Sequence, residues 1–367
     1  MDRKPARRHA PDSLVLLLAL LTLPLSGLTA PIPAATQAEG RYIWEALPER
    51  APGPGDSAAM IALGKKLFEE RQLSRDGSLS CRSCHDLDRK AGGDGRARAR
   101  GVGGALGPRN TPTVWNAAFM RVLFWDGRAS TLEAQVAGPL LNPIEMGLPS
   151  TAEAERRIRA IPDYRPAFEA AFGKGTSIRF DGMTRAIAAY ERTLITPDTP
   201  YDRLVRGDPN ALDATQKRGM ALFEATGCVL CHRGPNFSDA SAPGGRHPLR
   251  LFPAHAGPAE ARHPSLRDKG RAGAWRIPSL RNVALTGPWL HNGAVKRLED
   301  VVRIMAESQL ARSATLNTWY RPDGTLVKAD RRPLEKRDVQ DIVAFLHALS
   351  SDRLSKLSTG PDPGRRH

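Results

Sequence analysis

The chain contains two copies of one cysteine pattern, Cys81-Arg82-Ser83-Cys84-His85 and Cys228-Val229-Leu230-Cys231-His232, which together use all four of its cysteines. Two thiols three positions apart can add across the two vinyl groups of one heme, and the adjoining histidine then becomes an iron ligand. A lone C-x-x-C can instead be half of a zinc site or a redox dithiol. A zinc ribbon needs a second pair about 15–20 residues further on, and a redox dithiol does not need the histidine. The pattern therefore favours two c-type hemes.

The N-terminus predicts export. Four basic residues within the first eight precede an apolar run from Leu14 to Leu28, which is followed by small residues and prolines. This order is typical of a secretory signal peptide, and we assign it to residues 1–35, with cleavage near Ala30 or Ala35. The run contains Pro24 and is shorter than the ~20 apolar residues of a spanning helix, so an uncleaved membrane anchor is the weaker alternative. A periplasmic location agrees with the heme motifs, because bacteria attach c-type hemes outside the cytoplasm.

Length and charge limit the classes of partner. The chain has 367 residues and a formal net charge of +15, enough residues for two domains after cleavage of the signal peptide. An excess of basic over acidic residues favours binding to nucleic acid, a membrane surface or an acidic protein. Acidic residues lie between the arginines and lysines, and the sequence contains no basic stripe studded with aromatic residues. We therefore expect no nucleic acid, and an acidic electron donor as the better use of the charge.

The sequence indicates an internal duplication. Residues 112–136 align with residues 278–302 without a gap, so that Asn116 meets Asn282 and Gly127 meets Gly293. The second copy carries extra residues between its heme histidine and this shared segment. They lie in the stretch from Ser241 to Ala274, whose glycines, prolines and histidines predict a loop.

Helical spacing dominates the rest of the sequence. Asp56 or Ser57 can begin a helix, because either side chain can cap the apolar stripe that follows. Two further stripes read as core-facing helices: Met183, Ile187, Tyr190 and Leu194; and Val339, Ile342, Val343, Leu346 and Leu349. The predicted fold is all-α, with two cytochrome c-like heme domains related by duplication, at residues 40–205 and 206–355. Residues 356–367 are predicted to form a disordered tail.

Five further motifs carry a family resemblance: Arg109–Thr113, Phe124–Ala129, Asn142–Met146, Leu194–Pro197 and Pro278–Asn282. With the heme motifs they give a sequence that resembles the bacterial diheme cytochrome c peroxidases and the related MauG-type diheme enzymes. The resemblance covers nearly the whole mature chain, in the family's order and spacing. It implies that the first heme reacts with peroxide and the second receives electrons.

The resemblance also implies iron ligands. His85 and His232 match the proximal ligands, and Met305 matches the sixth ligand of the electron-transfer heme. A thioether ligand raises the reduction potential, which suits an iron that stores an electron. Without the resemblance, Met305 would more simply be a core methionine on an amphipathic helix. At the aligned position the first copy has Pro139, which cannot bind iron, so we expect two inequivalent hemes.

Three more positions match the family's peroxide site, and three match its calcium site. Glu145 matches the distal acid that moves a proton between the two peroxide oxygens. Gln135 matches a companion that hydrogen-bonds peroxide, and Trp125 matches the aromatic residue between the hemes. The matching calcium ligands are the Asn110 side chain and the carbonyls of Thr286 and Pro288, an oxygen-only set that suits calcium.

One departure from the peroxidase pattern concerns the first iron. Many of these peroxidases place a distal histidine in the loop after the first heme motif, but Asp86–Pro108 contains no histidine and no methionine. This absence resembles MauG, whereas Met305 does not, because MauG-type enzymes use tyrosine at the second heme. The combination predicts a peroxidase whose first iron is open in every redox state.

The predicted function is therefore a periplasmic cytochrome-c peroxidase. It would reduce hydrogen peroxide to water with electrons from a small c-type cytochrome or a cupredoxin, and the resemblance implies a homodimer. One alternative is a MauG-like enzyme that oxidatively modifies a tryptophan or tyrosine of a partner protein. A second alternative is a diheme cytochrome that only transfers electrons.

Overall fold

The computed structural model describes residues 45–241, 245, 247–255, 257–268, 273–310, 318–320, 326–328 and 332–359. The predicted signal peptide, residues 1–35, lies outside the described residues. Within the described ranges the chain is rich in helix and poor in strand, which confirms the predicted helical class in outline. None of the described helices is long and apolar enough to cross a membrane.

Six helices lie in the first half of the described chain and six in the second. The first six are α1 (Ala58–Phe68), α2 (Cys81–Cys84), α3 (Leu132–Leu141), α4 (Thr151–Arg159), α5 (Tyr164–Phe172) and α6 (Phe180–Glu191). The second six are α7 (Pro200–Val205), α8 (Ala214–Ala225), α9 (Pro258–Ala261), α10 (Leu298–Met305), α11 (Lys336–Ala348) and α12 (Asp352–Thr359). Two antiparallel pairs add short strands: β1 (Leu249–Phe252) with β2 (Gly273–Arg276), and β3 (Thr318–Tyr320) with β4 (Leu326–Lys328).

Helix α1 begins as its sequence predicts. The Ser57 hydroxyl accepts a hydrogen bond from the Met60 amide at 3.1 Å and so caps the helix. Asp56, the other candidate cap, instead forms an ion pair with Arg192. The apolar stripe of α1 is buried against α6, where Leu67 is fully inaccessible to solvent. Burial of one such side chain contributes about 1.5–3 kcal/mol to stability.

The same close helix crossing occurs in both halves. A Cβ atom added to Gly64 in α1 would lie 1.8 Å from the Ala186 carbonyl oxygen of α6. A Cβ atom added to Gly219 in α8 would lie 1.8 Å from the Asp341 carbonyl oxygen of α11. Each glycine therefore lets two helix backbones touch. The residues of the two predicted core stripes are buried except for half-buried Val343, which confirms their core assignment. Leu194 and Leu349 lie just past the ends of α6 and α11.

Two asparagines at aligned positions also have the same local geometry. Asn116 and Asn282 both adopt the left-handed conformation, with φ of 62° and 60°. Their amide nitrogens donate to the same acceptor, the Thr196 hydroxyl, at 2.8 and 3.1 Å. Their side-chain oxygens accept from the backbone amides of Thr196 and Ser351. This buried network connects the two halves through one hydroxyl.

A fully buried ion pair lies beside this network. Arg281 donates to Asp202 and to the Thr199 hydroxyl, and both charged side chains are inaccessible to solvent. The arginine lowers the pKa of Asp202 against the opposing effect of burial. Breaking such a pair by removing one partner costs about 3–5 kcal/mol, because the other charge is left buried alone.

Two predictions about irregular structure are wrong in part. The segment Ser241–Ala274, predicted as loop, contains β1 and α9 and reaches into β2, because β1 and β2 satisfy each other's backbone hydrogen bonds. The predicted disordered tail from residue 356 begins inside α12, which continues to Thr359. This helix is anchored by Leu354, which is fully buried in the core of the first half. The rest of the predicted tail lies outside the described residues.

The glycine crossings give the first prediction. Gly64→Ala should destabilise the protein by about 1–3 kcal/mol, because the added methyl group has no space against the α6 backbone. Gly182→Ala is the control, since Gly182 also lies within a helix but its nearest contact is a phenylalanine ring at 3.2 Å. Chemical denaturation of the two variants measures the difference. Equal stability of both variants would show that the Gly64 crossing can relax without cost.

Candidate diheme site

Two large cavities surround the two heme motifs. The first encloses about 1720 Å³ of empty space including its mouth, and the residues of the first motif that line it are Cys81, Cys84 and His85. The second encloses about 1250 Å³ and is lined by Cys231 and His232. Each motif therefore lies at the wall of its own cavity.

The two motif histidines are held in the same way. His85 Nδ1 lies 2.9 Å from the Gly92 carbonyl oxygen, and His232 Nδ1 lies 3.0 Å from the Phe237 carbonyl oxygen. A carbonyl can only accept, so Nδ1 carries the proton and Nε2 keeps its lone pair for a metal. Burial lowers the pKa of His85, and it lowers the pKa of His232 to about 4. Both imidazoles are therefore neutral, as iron ligation requires.

The cysteines do not fit the two alternatives to heme. All four are free thiols, and burial raises the pKa of Cys81 to about 12 and that of Cys228 to about 11. Redox dithiols have lowered thiol pKa values, so these pairs lack that property. In the part of the chain that the structure describes, no cluster of three His, Cys, Asp or Glu side chains could hold a metal ion. The donor set and the cavities fit covalently attached heme instead.

Glu145 is fixed at the wall of the first cavity. Its backbone carbonyl accepts a hydrogen bond from the Val102 amide at 2.8 Å. Gly101 packs so close to the same stretch of backbone that no Cβ atom would fit there. Asn142 Nδ2 donates to Glu145 Oε1 at 2.9 Å. Burial raises the pKa of this carboxyl, and the Asn142 hydrogen bond and nearby Arg128 oppose the shift. A half-buried carboxyl therefore lies at the first cavity, and among the described residues none hydrogen-bonds its Oε2.

The other predicted residues of the peroxide site lie at the same cavity. Gln135 on α3 lines it, as does Pro139 on the same helix. Trp125 lines both cavities, and its indole donates to the Asn110 carbonyl oxygen at 2.9 Å. The Trp125 carbonyl accepts from the Arg276 amide at 2.7 Å. The indole is thus bonded to the first half of the chain, and the Trp125 backbone is bonded to the second.

Met305 and the three predicted calcium ligands all line the second cavity. Met305 is the last residue of α10, and the π-helical turn Ala306–Leu310 follows it directly. Asn110 is 7 % exposed and donates through Nδ2 to the Arg96 carbonyl oxygen at 2.6 Å, which leaves Oδ1 as a possible ligand atom. Thr286 and Pro288 lie on the neighbouring backbone. The cavity thus contains both the thioether and the oxygen atoms that the resemblance implied.

Met146, the last residue of the Asn142–Met146 motif, lines the first cavity, although its side chain packs into the hydrophobic core. The structure also adds cavity residues that lie outside the predicted motifs. Glu191 and Arg276 are buried charged groups at the cavity walls, and Trp275 stacks on His291 with ring centroids 4.3 Å apart. The motif Leu194–Pro197 begins three residues after Glu191, and Arg276 stands two residues before Pro278. The closeness of Glu191 and Arg276 to these motifs in the sequence was a signal that they line the cavities. Their residue types alone did not distinguish them from exposed charged residues.

Comparison with known proteins identifies the family. A family model for di-haem cytochrome c peroxidases matches residues 58–210. Cytochrome c551 peroxidase of Pseudomonas aeruginosa is 42% identical over 299 residues, which cover 78% of each chain. The chain belongs to the di-haem cytochrome c peroxidase family. The predicted resemblance is therefore confirmed.

Other members of the family broaden the comparison. The methylamine utilization protein MauG of Methylorubrum extorquens is 35% identical over 83% of each chain. The crystal structure of a MauG-like protein associated with microbial copper homeostasis matches with a TM-score of 0.67 at 32% identity, covering 86% of this chain and 98% of that one. Curated relatives at 36–42% identity are named cytochrome c peroxidases, so the chain is an oxidoreductase of the peroxidase class with two c-type hemes.

Glu191 gives a prediction of pH dependence. Its carboxyl is 4 % exposed, and burial raises its pKa from 4.5 to about 8, with Arg192 opposing the shift and Glu133 adding to it. The folded state therefore keeps the proton between pH 4.5 and 8 while the unfolded chain loses it, so stability falls as pH rises through this window. Glu191→Gln should remove that fall, which is up to about 5 kcal/mol from the size of the shift.

Denaturation at pH 5 and pH 8 measures this effect. The variant should gain stability over the parent at pH 8 and gain little at pH 5. Glu49→Gln is the control, because Glu49 is exposed and its substitution removes the same charge. A parent and a Glu191→Gln variant with the same pH slope would show that Glu191 ionises freely in the folded protein.

Proposed function

We propose that this protein is a periplasmic peroxidase that reduces hydrogen peroxide to water. Its two electrons would come from a small c-type cytochrome or a cupredoxin, and the net charge of +15 favours an acidic donor. The observation that carries the proposal is the difference between the cavities. Among the described residues, carboxyls that include Glu145 line the first cavity, whereas the second has no carboxyl in its wall and contains Met305.

The first cavity provides for proton transfer. Reduction of one peroxide to two waters consumes two electrons and two protons. Glu145 would take the proton from one peroxide oxygen at Oε2 and return it to the other, while the Asn142 amide holds Oε1 in place. A raised pKa favours this role, because the carboxyl then exchanges a proton more readily near neutral pH. Gln135 would orient peroxide by a hydrogen bond.

The second cavity provides for electron storage. His85 and His232 would each hold one iron through Nε2, and Met305 would bind the second iron as its sixth ligand. When bound, each heme supplies an iron that gains or loses one electron. Trp125 would conduct between the two hemes, because it lines both cavities and is fixed by hydrogen bonds from both halves. Calcium would be held between the halves by Asn110, Thr286 and Pro288.

The proposal includes the organisation of the chain. We infer two heme domains, at residues 40–205 and 206–355, that arose by duplication; the repeated glycine crossings and asparagine turns support this inference. We also infer export by a signal peptide at residues 1–35 and assembly as a homodimer. The packing of Leu354 against the first core means that the C-terminal helix connects the two domains.

The second candidate function is MauG-like oxidation of a partner protein. The MauG relative and the absence of a second histidine among the described residues that line the first cavity favour it. Met305 favours the peroxidase instead, because a Met-ligated iron suits electron storage. Turnover of peroxide with reduced cytochrome c would support the peroxidase. Crosslinking or hydroxylation of a co-encoded protein, without cytochrome oxidation, would support the MauG-like enzyme.

The acid–base role of Glu145 can be tested by one substitution. Glu145→Gln keeps the shape of the side chain but removes the ionisable oxygen, so peroxide turnover should fall by about 10²-fold or more. Turnover is measured with reduced cytochrome c, and absorbance confirms that both hemes remain attached. Glu49→Gln should keep the activity of the parent. A Glu145→Gln variant with near-normal turnover would remove this carboxyl from the proposed mechanism.

The role of Met305 can be tested by spectroscopy. Met305→Ala should abolish the His/Met optical bands of the second heme and lower its reduction potential, because the thioether stabilises the reduced iron. Met146→Leu is the control, since Met146 is a methionine of the first cavity whose side chain packs in the core. If the bands disappear in the Met146 variant and persist in the Met305 variant, Met305 is a packing residue.

A further inference from the structure

Arg276, the last residue of β2, is a buried cation without a counter-charge. Its side chain is 7 % exposed, and no described residue hydrogen-bonds or forms an ion pair with its guanidinium. Burial alone lowers its pKa to about 10, and no neighbouring carboxylate opposes the shift. An isolated buried charge costs several kcal/mol, so folded proteins retain one only where an anion compensates it.

Arg276 belongs to a cluster of unpaired donors on one small structure, the β1–β2 ribbon (Leu249–Phe252 and Gly273–Arg276). Among the described residues, four buried side-chain nitrogens lack a hydrogen-bond partner: Arg250 Nε, Trp275 Nε1, Arg276 Nε and Arg281 Nη2. Three of these four lie on the ribbon, although the Arg250 guanidinium also hydrogen-bonds the Cys231 thiol. The fourth belongs to a guanidinium that already pairs with Asp202. Unpaired donors are thus concentrated where the ribbon meets the cavities.

The register of the ribbon directs these donors to two sides. Arg250 pairs with Trp275 across the ribbon, and Leu249 pairs with Arg276, so the two pairs lie on opposite faces. The Leu249 side chain lies next to Gly127 of the first half, so the face of the ribbon that carries Leu249 and Arg276 points toward that half. Arg250 lines only the second cavity, whereas Arg276 lines both. The ribbon therefore stands between the cavities with donors on each face.

Arg276 has no carboxylate partner among the described residues and lines both cavities, so a ligand bound there can supply the acceptor. The molecules that occupy these cavities in this family are hemes, and each heme carries two propionate carboxylates. We propose that the β1–β2 ribbon binds the carboxylates of the two hemes, and that Arg276 is the counter-charge at the point where the cavities meet. This gives a role to the segment that lengthens the second half relative to the first.

The proposal has an electrostatic consequence that differs between the two arginines. A buried positive charge beside a heme favours the reduced iron, so its removal lowers the reduction potential. Arg276→Gln should reduce the equilibrium constant for reduction of each heme by about tenfold or more, which corresponds to about 59 mV for a one-electron couple. Arg250→Gln should change only the second heme. The inference depends on the two hemes and not on peroxide chemistry.

Spectroelectrochemical titration of the purified diheme protein tests these expectations. Arg262→Gln is the control, because Arg262 is an exposed arginine of the same segment and its substitution removes the same charge. Arg276→Lys keeps the charge and should retain most of the potential of the parent. Thioether bonds keep the heme count at two in every correctly assembled variant, so mass spectrometry separates loss of the carboxylate contact from failure to assemble.

Three results would overturn the proposal. The first is a pair of unchanged potentials in Arg276→Gln with both hemes attached. The second is an equal shift in Arg276→Lys and Arg276→Gln, which would assign the effect to shape and not to charge. The third is a dependence of the parent's heme potentials on the chloride or phosphate concentration, with the parent and Arg276→Gln having the same potentials at low salt. A free anion, and not a heme carboxylate, would then be the partner of Arg276. If Arg276→Gln fails to assemble, a change in the reduction potentials of both hemes in Arg250→Gln would contradict the proposal, because Arg250 is assigned to the second cavity alone.

Discussion

The molecule depends on one hydrogen bond in each half, from the Nδ1 of a motif histidine to a backbone carbonyl. The bonds from His85 to Gly92 and from His232 to Phe237 fix the tautomer and leave Nε2 with a lone pair for a metal. Both carbonyls lie in loops a few residues after their motif, so the loop geometry sets the orientation of each imidazole. The helix crossings at Gly64 and Gly219 pack one pair of helices closely in each half.

In the proposed function, the two halves use this common frame for different chemistry. The wall of the first cavity has Pro139, which offers no ligand atom, and Glu145, whose carboxyl is held by Asn142. The second cavity has Met305 at the position aligned with Pro139. In the proposed mechanism, this difference between Pro139 and Met305 separates an iron that binds substrate from an iron that stores an electron. Trp125 and Arg276 line both cavities.

The sequence predicted the features that are local in the chain. Each heme motif is five residues long, and the core stripes on α6 and α11 follow helical spacing, so both could be read directly. The ribbon was missed because its two short strands are separated by about twenty residues, and pairing over that distance has no local pattern. Arg276 was missed because a buried arginine and an exposed one look alike in sequence. The helix at Asp352–Thr359 was underestimated because its stability comes from the packing of Leu354 on a distant core.

The central claim is that the two hemes are inequivalent and that the first iron has an open position. The EPR spectrum of the fully oxidised protein, recorded with calcium and without any reductant, tests it most directly. The account predicts one high-spin signal that converts to low spin on addition of cyanide, beside one low-spin signal of His/Met character that cyanide leaves unchanged. Two low-spin signals that cyanide leaves unchanged would contradict it, because a protein ligand would then occupy the open position of the first iron.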